Sequence, residues 1–473
     1  MSELTGRVLG PSSPGWDAAR HNFRAAVDYT KLVPKSVVFC QHPRDVQNAV
    51  KVACADGVPM RARSGRHSYE AFSLVEGGII IDVSEMDEIS VDAKAGTARI
   101  GAGVFCLDLH EQLYDVGLTI PAASGASVGI AGLALGGGFG VVSRKYGLTC
   151  DNVLGVELVN AKGDLVYASA KENPDLYWAC RGGGGGNFGI VTAFDFKVQP
   201  VGLVAVCNIT WRWSDFMAVV DTFQHWGPNA PDNLSTFLRL AVGDAPGSGV
   251  ITLFGQLTPD SPQELAGFSA LLAPMLGAAP PTGVNVQMMP YSYAAAVFAG
   301  ADPKNPQWMI HAHNDTQYFK STSAVAYEPF PKAALELLKS QMELAPLQTG
   351  WDTNEPSMVQ MLAGGGAPGR VPVDGTAVPH RKAAFVMQYD AYWTDPADQP
   401  VAEKWIEGVR TSMLPYAHNA YVNYVDLQIP NYLESYYVTN LPKLIQVKAH
   451  VDPHNVFNFQ QSIPTKLPDH KPK

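Results

Sequence analysis

The sequence predicts a mixed α+β fold, and three observations carry that prediction. Short apolar runs rich in β-branched residues alternate with helical patterns through residues 1–205. From residue 206 to 415 the pattern changes to amphipathic helices interleaved with strand-like runs. The 44 glycines and 35 prolines follow no fixed period, which fits a loop-rich globular protein and not a fibrous one. A chain of 473 residues also exceeds one typical hydrophobic core.

Taken in order, Ser36 to Phe39 reads as the first strand. Pro43 to Ala55 follows as a helix, with proline at its start and Val46, Ala49, Val50 and Ala53 at helical spacing. Gly78 to Val83 and Thr97 to Ile100 are strands, Phe105 to Val116 is a helix, and Val153 to Val159 and Ile190 to Val198 are strands. Beyond residue 206, Ser214 to Trp226, Pro262 to Leu276 and Pro331 to Glu343 read as amphipathic helices. Val250 to Leu257 and Ala383 to Tyr389 read as strands, and Gly364 to Gly375 as a loop. The tail holds a strand, Tyr421 to Val425, and a helix, Leu441 to Val451.

Composition excludes several function classes. With 46% apolar residues the chain is not disordered, and a net charge of -10 without a basic stripe excludes a nucleic-acid partner. The longest apolar stretches, such as Val128 to Leu135, are too short and glycine-rich to span a membrane. Met1 to Gly6 holds no basic segment leading into an apolar one, so the expected location is cytoplasmic, with secretion of a processed form left open. Six scattered cysteines without a C-x-x-C read as buried free thiols. The sequons at Asn208, Asn233 and Asn314 read as chance matches. His311 and His313 alternate as metal ligands can, but no supporting ligand sits at useful spacing, and no metal is expected.

Three glycine-rich stretches carry the chemistry. Gly184, Gly186 and Gly189 satisfy G-x-G-x-x-G, but a strand follows where the dinucleotide fingerprint needs a helix. What remains is a loop whose backbone N–H groups could approach an anion closely, or else a tight structural turn. Val128 to Gly140 holds six more glycines, and Arg63-Ser-Gly-Arg-His-Ser-Tyr69 presents His67 from a glycine-kinked loop. Three such loops in one half fit a single long diphosphate ligand better than three unrelated turns.

Together these stretches resemble the FAD-linked oxidases of the vanillyl-alcohol oxidase / p-cresol methylhydroxylase superfamily, in the berberine-bridge-enzyme-like branch. The family's R-S-G-G-H-S-Y resembles Arg63 to Tyr69, with Arg66 in place of the second glycine. Its C-P-T-V-G-V-G-G and GGGYG resemble Gly125 to Gly132 and Gly136 to Gly140, and its Y-G-L-x-x-D-N matches Tyr146 to Asn152. Arg181 to Ile190, Tyr421 to Asp426 and Val447 to Pro464 are similar to three further motifs in the same order.

The resemblance implies a split FAD-binding domain, residues 1–205 with 416–473, and a substrate-binding domain of sheet covered by helices, residues 206–415. It places the covalent flavin anchor on His67 and leaves Gly125 where the family's second, cysteinyl anchor stands, so a single link is expected. Cofactor contacts fall on Arg63, Ser64, Gly65, Arg66 and Ser68, and on Ser127, Val128, Gly129 and Gly132. They continue on Gly137, Gly138, Asp151 and Asn152, then on Gly186, Asn187, Gly189 and Val191. Tyr424 falls on the catalytic base, and Gln388 and Tyr69 on polar active-site positions. A free tyrosine titrates near ~10, so a base role near neutral pH requires downward tuning; the alternative for Tyr424 is an aromatic packed on the flavin. Alternation along a strand would put Tyr421 and Asn423 on the cofactor side and Tyr424 opposite. Val128 falls on a position that gates oxygen in plant relatives. The implied activity is oxidation of an alcohol or hemiacetal carbon of a carbohydrate or hydroxylated secondary metabolite, with molecular oxygen as second substrate and hydrogen peroxide as product. The alternative is a berberine-bridge-like dehydrogenase or oxidative cyclase.

Overall fold

The computed structural model describes residues 3–243, 245, 247–300, 316–346 and 356–467. His311, His313 and Asn314 lie outside them. Arg7–Leu9, Ser36–Phe39, Ile79–Asp82 and Met60–Arg63 form a sheet in that order, the last three strands parallel. The helix Pro43–Asp56 connects two of these strands. His42 and Asp45 cap its start, Gly57 ends it at φ 63°, and Val46, Ala49, Val50 and Ala53 are buried on its inner face. The parallel strand Met60–Arg63 delivers the loop that carries His67.

A second sheet has the order Ile89–Asp92, Thr97–Gly101, Ile190–Lys197, Val153–Val159, Leu165–Ser169, all antiparallel. The glycine loop, residues 182–189, joins the helix Pro174–Ala179 to its central strand. The third sheet has seven antiparallel strands in the order Gly283–Pro290, Leu203–Arg212, Gly249–Leu257, Leu234–Val242, Met358–Ala363, Phe385–Trp393, Tyr318–Ala326. The strand Phe385–Trp393 shows how period-2 patterning sets its faces. Phe385, Met387, Tyr389, Ala391 and Trp393 enter a core shared with the helices Phe216–Trp226, Lys332–Met342 and Gln399–Met413. Gln388, Asp390 and Tyr392 point the other way, into a cavity.

Two main cores result. One is built from residues between Val38 and Val198 together with Ala377 and residues between Ala420 and Ile463, the other from residues between Ala205 and Ala417. A buried ionic group bridges them. Lys320 is paired with Glu70 and Asp426, and Arg24 with Glu70 and Glu403.

Two sequence expectations are corrected. Tyr421 to Val425 is not a strand but a turn, closed by the Tyr424 N–H donating to the Tyr421 carbonyl at 2.9 Å. Its β-prone side chains are held by tertiary partners instead: Gly138 N–H donates to the Tyr421 hydroxyl at 2.8 Å, and Asp426 is drawn in by Lys320 and Thr322. Pro262 to Leu276 is not one helix but three short ones, Pro262–Ala266, Phe268–Leu271 and Ala273–Ala278, interrupted at Gly267 and Leu272, with Pro274 opening the last. All six cysteines are free, but Cys54 is exposed where a buried thiol was expected.

Candidate active site

A cavity of about 1140 Å³ is lined by residues of the three larger sheets and of the C-terminal segment. The loop after Met60–Arg63 supplies its first wall. Gly65 packs so closely on Gly129 and Ser127 that a side chain at either glycine would overlap the other loop's backbone. Arg66 has φ 64°, a left-handed conformation that costs an arginine strain and suits the glycine of the related motif. These constraints aim His67 at Ser127, whose hydroxyl lies 2.8 Å from Nε2, while Phe23 stacks on the ring at 4.3 Å. Burial holds the imidazole down at about 4, so it is neutral near pH 7.

The glycine stretches form the narrow part. A Cβ on Gly132 would meet nothing within 4 Å, and one on Gly185 would reach only the Gly132 Cα and the Leu135 side chain, each at 3.9 Å. Both therefore present bare backbone to the cavity, as a close-lying phosphate-bearing ligand requires. Gly184 and Gly186 take φ 87° and 74°, conformations that favour glycine. The C-terminal segment pins this loop. Tyr437 donates to the Gly183 carbonyl at 2.9 Å, Lys448 to the Asn187 carbonyl at 2.7 Å, and Ile463 N–H to Asn187 Oδ1 at 2.8 Å.

At the wide end, Tyr69 and Tyr424 stack with ring centres 5.8 Å apart and planes inclined by 13°, and Tyr421 meets Tyr424 edge-on at 5.1 Å. Gln388 donates from Nε2 to Asp390 Oδ1 at 3.1 Å. Asp390 was missed in the sequence. It is 1% exposed, its Oδ2 has no hydrogen-bond partner, and burial raises its carboxyl to about 6 despite Ser321, Gln388 and Gln360 beside it. The signal was there to be read: Gln388 and Asp390 are two apart on one strand and so share a face.

The sequence expected Tyr424 to be tuned downward, and the structure does the opposite. Burial, then Tyr69, Tyr421 and Asp390, push its hydroxyl well above the ordinary tyrosine value. Near neutral pH Tyr424 is a protonated hydroxyl, and Asp390 is largely ionised.

Most other expected site residues lie on the wall: Ser64, Ser68, Val128, Gly129, Gly189 and Val191, with Asn187, Tyr421 and Asn423. Arg63 reaches it too, though its side chain turns into the core to pair with Asp82. Gly137, Gly138, Asp151 and Asn152 stand behind the wall. Asp151 is bound by both Nη atoms of Arg381 at 2.7 Å, Asn152 donates to the Tyr146 and Leu148 carbonyls, and Gly138 supports Tyr421. Among the described residues no group of three or more His, Cys, Asp or Glu is placed to hold a metal, and no helix is long and apolar enough to cross a membrane.

The bare backbone at Gly132 and Gly185, the positive-φ turns beside it and a neutral His67 in the same cavity fit a long diphosphate cofactor with an aromatic head. The comparisons agree. Residues 34–169 match the model of an FAD binding domain, and residues 420–464 match that of berberine and berberine-like proteins. The uncharacterized FAD-linked oxidoreductase YgaK of Bacillus subtilis (strain 168) is 37% identical over 467 residues, covering 98% of each chain. The structure of Physcomitrella patens BBE-like 1 superposes with a TM-score of 0.89 at 32% identity, covering 98% of each chain. A Phl p 4 variant described as a glucose oxidase superposes with a TM-score of 0.85 at 26% identity, over 98% of this chain and 97% of that one. The chain belongs to the berberine bridge enzyme-like family of FAD-linked oxidoreductases.

Proposed function

We propose that this protein is an oxidase that takes a hydride from an alcohol or hemiacetal carbon, with a carbohydrate as the substrate class best supported. One observation carries the reading: Tyr69, Gln388, Asp390 and Tyr424 converge on the same cavity as His67 and the glycine cradle. FAD, when bound, supplies the hydride acceptor and afterwards the electrons for dioxygen. Everything else falls to the chain. His67 is the covalent anchor. Ser127 occupies Nε2, which leaves Nδ1 as the nitrogen free to bond the flavin. No cysteine lines the cavity, and Val128 packs where a side chain at position 125 would lie, which supports a single link.

Breaking a C–H bond as hydride requires the neighbouring O–H to lose its proton. Tyr424 offers the hydroxyl that contacts the reacting group, and Asp390 is the carboxylate that receives the proton. Gln388 holds Asp390 by one oxygen and leaves the other for the substrate side. Tyr69, Phe237 and Phe254 give the cavity aromatic faces suited to sugar rings, and the Phl p 4 variant that oxidises glucose shares the fold.

The decisive experiment is anaerobic reduction across sugars and hydroxylated aromatic alcohols, followed by mixing the reduced enzyme with air-saturated buffer. Bleaching by a sugar and fast reoxidation with peroxide release are expected. Reoxidation over many minutes would make the protein a dehydrogenase. Val128→Leu adds one methylene to a closely packed wall and should slow reoxidation while sparing reduction.

A further inference from the structure

The seven-stranded sheet ends in two edges of opposite kind. The edge strand Tyr318–Ala326 is buried along nearly its whole length, with bridges from Arg24 to Gln317 and from His418 to Val325 at its ends. The other edge strand, Gly283–Pro290, is exposed at seven of its eight residues. Sheets usually protect such an edge with a short strand, a bulge, a lysine or a proline within the strand. The edge strands Arg7–Leu9, Met60–Arg63, Ile89–Asp92 and Leu165–Ser169 of the other two large sheets are three to five residues long. Gly283–Pro290 has none of these devices. Its register against Leu203–Arg212 runs from Gly283 to Pro290 without a shift, and its one proline stands last. It carries no charged residue, although the whole chain has a net charge of -10.

Alternation fixes what this edge offers. Just beyond the strand pair, the Tyr291 N–H donates to the Gly202 carbonyl. Counting back in twos, Gly283, Asn285, Gln287 and Met289 turn their backbone groups toward Leu203–Arg212, and Val284, Val286 and Met288 turn theirs outward. The side chains of these three share one face of the sheet. Their register partners Ile209, Cys207 and Ala205 lie in the helix-covered core. At the edge the row is uncovered: Val284 is 53% exposed and Met288 58%, and Leu203 extends it at 55%. The opposite face presents the amides of Asn285 and Gln287.

We propose that this edge pairs with the same edge of a second copy of the chain, antiparallel, about a two-fold axis at Val286. The strand is complementary to itself in that register. Val286 faces the partner's Val286 and Val284 faces the partner's Met288, so every outward N–H and C=O meets an outward counterpart. The two apolar rows join into one strip on the helix-covered side, and Asn285 meets the partner's Gln287 on the other, amide against amide. A slip by one residue sets outward groups against inward ones and breaks the match of faces. The absence of charge on the strand lets two chains of like net charge meet there without repulsion across the pair. A single strand pair is a small interface, so the dimer is concentration-dependent.

Sedimentation equilibrium of the flavin-loaded full chain tests this. The wild type should pass from monomer to dimer between about 1 and 100 μM, the range of a micromolar Kd. Val286→Lys sets like charges against each other on the axis and should leave only monomer at the top of that range, with flavin spectrum and melting temperature unchanged. Val284→Lys and Met288→Glu should each weaken association by about tenfold or more, and the double variant Val284→Lys, Met288→Glu should restore it, because opposite charges then face each other across the pair. A wild type that stays monomeric throughout would overturn the inference and leave the edge to a strand of another protein. A dimer untouched by Val286→Lys would place the contact on a different face, and no recovery in the double variant would overturn the register centred on Val286.

Discussion

Ser127 engages one nitrogen of His67, and burial keeps the ring neutral down to about pH 4, the form that the proposed bond to flavin requires. Acid-precipitated wild type should therefore stay yellow and His67→Ala should give a colourless pellet; a flavin peptide bearing a cysteine thioether would refute the single link. Asp390 and Tyr424 make the paired prediction. Asp390 sits at about 6, so the base is present above that value and lost as pH falls through it. The rate of flavin reduction should rise with pH through about 6 and level off above. Asp390→Asn should lower the plateau by ~10²–10⁴-fold and abolish the inflection. Tyr424→Phe should lower the rate over a similar range but keep the inflection, because the carboxylate remains. An unchanged pH profile in Asp390→Asn would rule out Asp390 as the titrating base.

Between elements, the ionic group behind the active site is the most exposed to substitution. Lys320 is 4% exposed and joins Glu70, next to Tyr69, to Asp426, two residues beyond Tyr424. Lys320→Met would leave Asp426 buried with Thr322 as its remaining side-chain partner. Losing one partner of a buried pair costs about 3–5 kcal/mol, readable as a lower urea midpoint. The same group explains what was legible in the sequence. Elements with a strong period and clear punctuation, such as Pro43–Asp56, Val153–Val159 and Leu441–Val451, match their expected bounds to within a residue. Tyr421 to Val425 has equal β-propensity but no strand partner, because Tyr421 and Asp426 are claimed by Gly138 and Lys320, and no local rule encodes that. The site divides in the same way. His67, Tyr69, Gln388 and Tyr424 were found by motif. Asp390 follows from its two-residue spacing to Gln388 on the strand Phe385–Trp393, which sets both on the cavity face. Asp151 and Asn152 matched a motif and stand behind the cavity wall, where Arg381 binds Asp151 and Asn152 donates to the Tyr146 carbonyl.

At the scale of the whole molecule, the two cores are stitched by buried histidines as well as by Lys320. His110 faces the Tyr291 hydroxyl at 3.1 Å, linking the first segment to the middle one. His380 faces the Tyr327 hydroxyl and the Ala420 carbonyl, both at 2.9 Å, linking the middle segment to the tail. Burial lowers both to about 4, from 6.5 in the unfolded chain. The unfolded state thus binds more protons between pH 6.5 and 4, so the stability these groups allow is complete above 6.5 and is lost as pH falls toward 4. Each contributes a slope of about 1.4 kcal/mol per pH unit inside that window. Asp390 works in the other direction. Its value is raised from 3.8 to about 6, so it binds the extra proton in the folded state and offsets one histidine below pH 6. Three buried histidines, these two and His67, against one carboxyl leave a net loss on acidification that develops as pH falls below 6.5. The melting temperature should fall from pH 7 to pH 4. In the double variant His110→Gln, His380→Gln the baseline will be lower, but the fall between pH 6.5 and 5 should flatten. A slope unchanged in the double variant would mean that the acid sensitivity resides in other groups, such as His67 or the carboxylate pairs, and not in these two junctions.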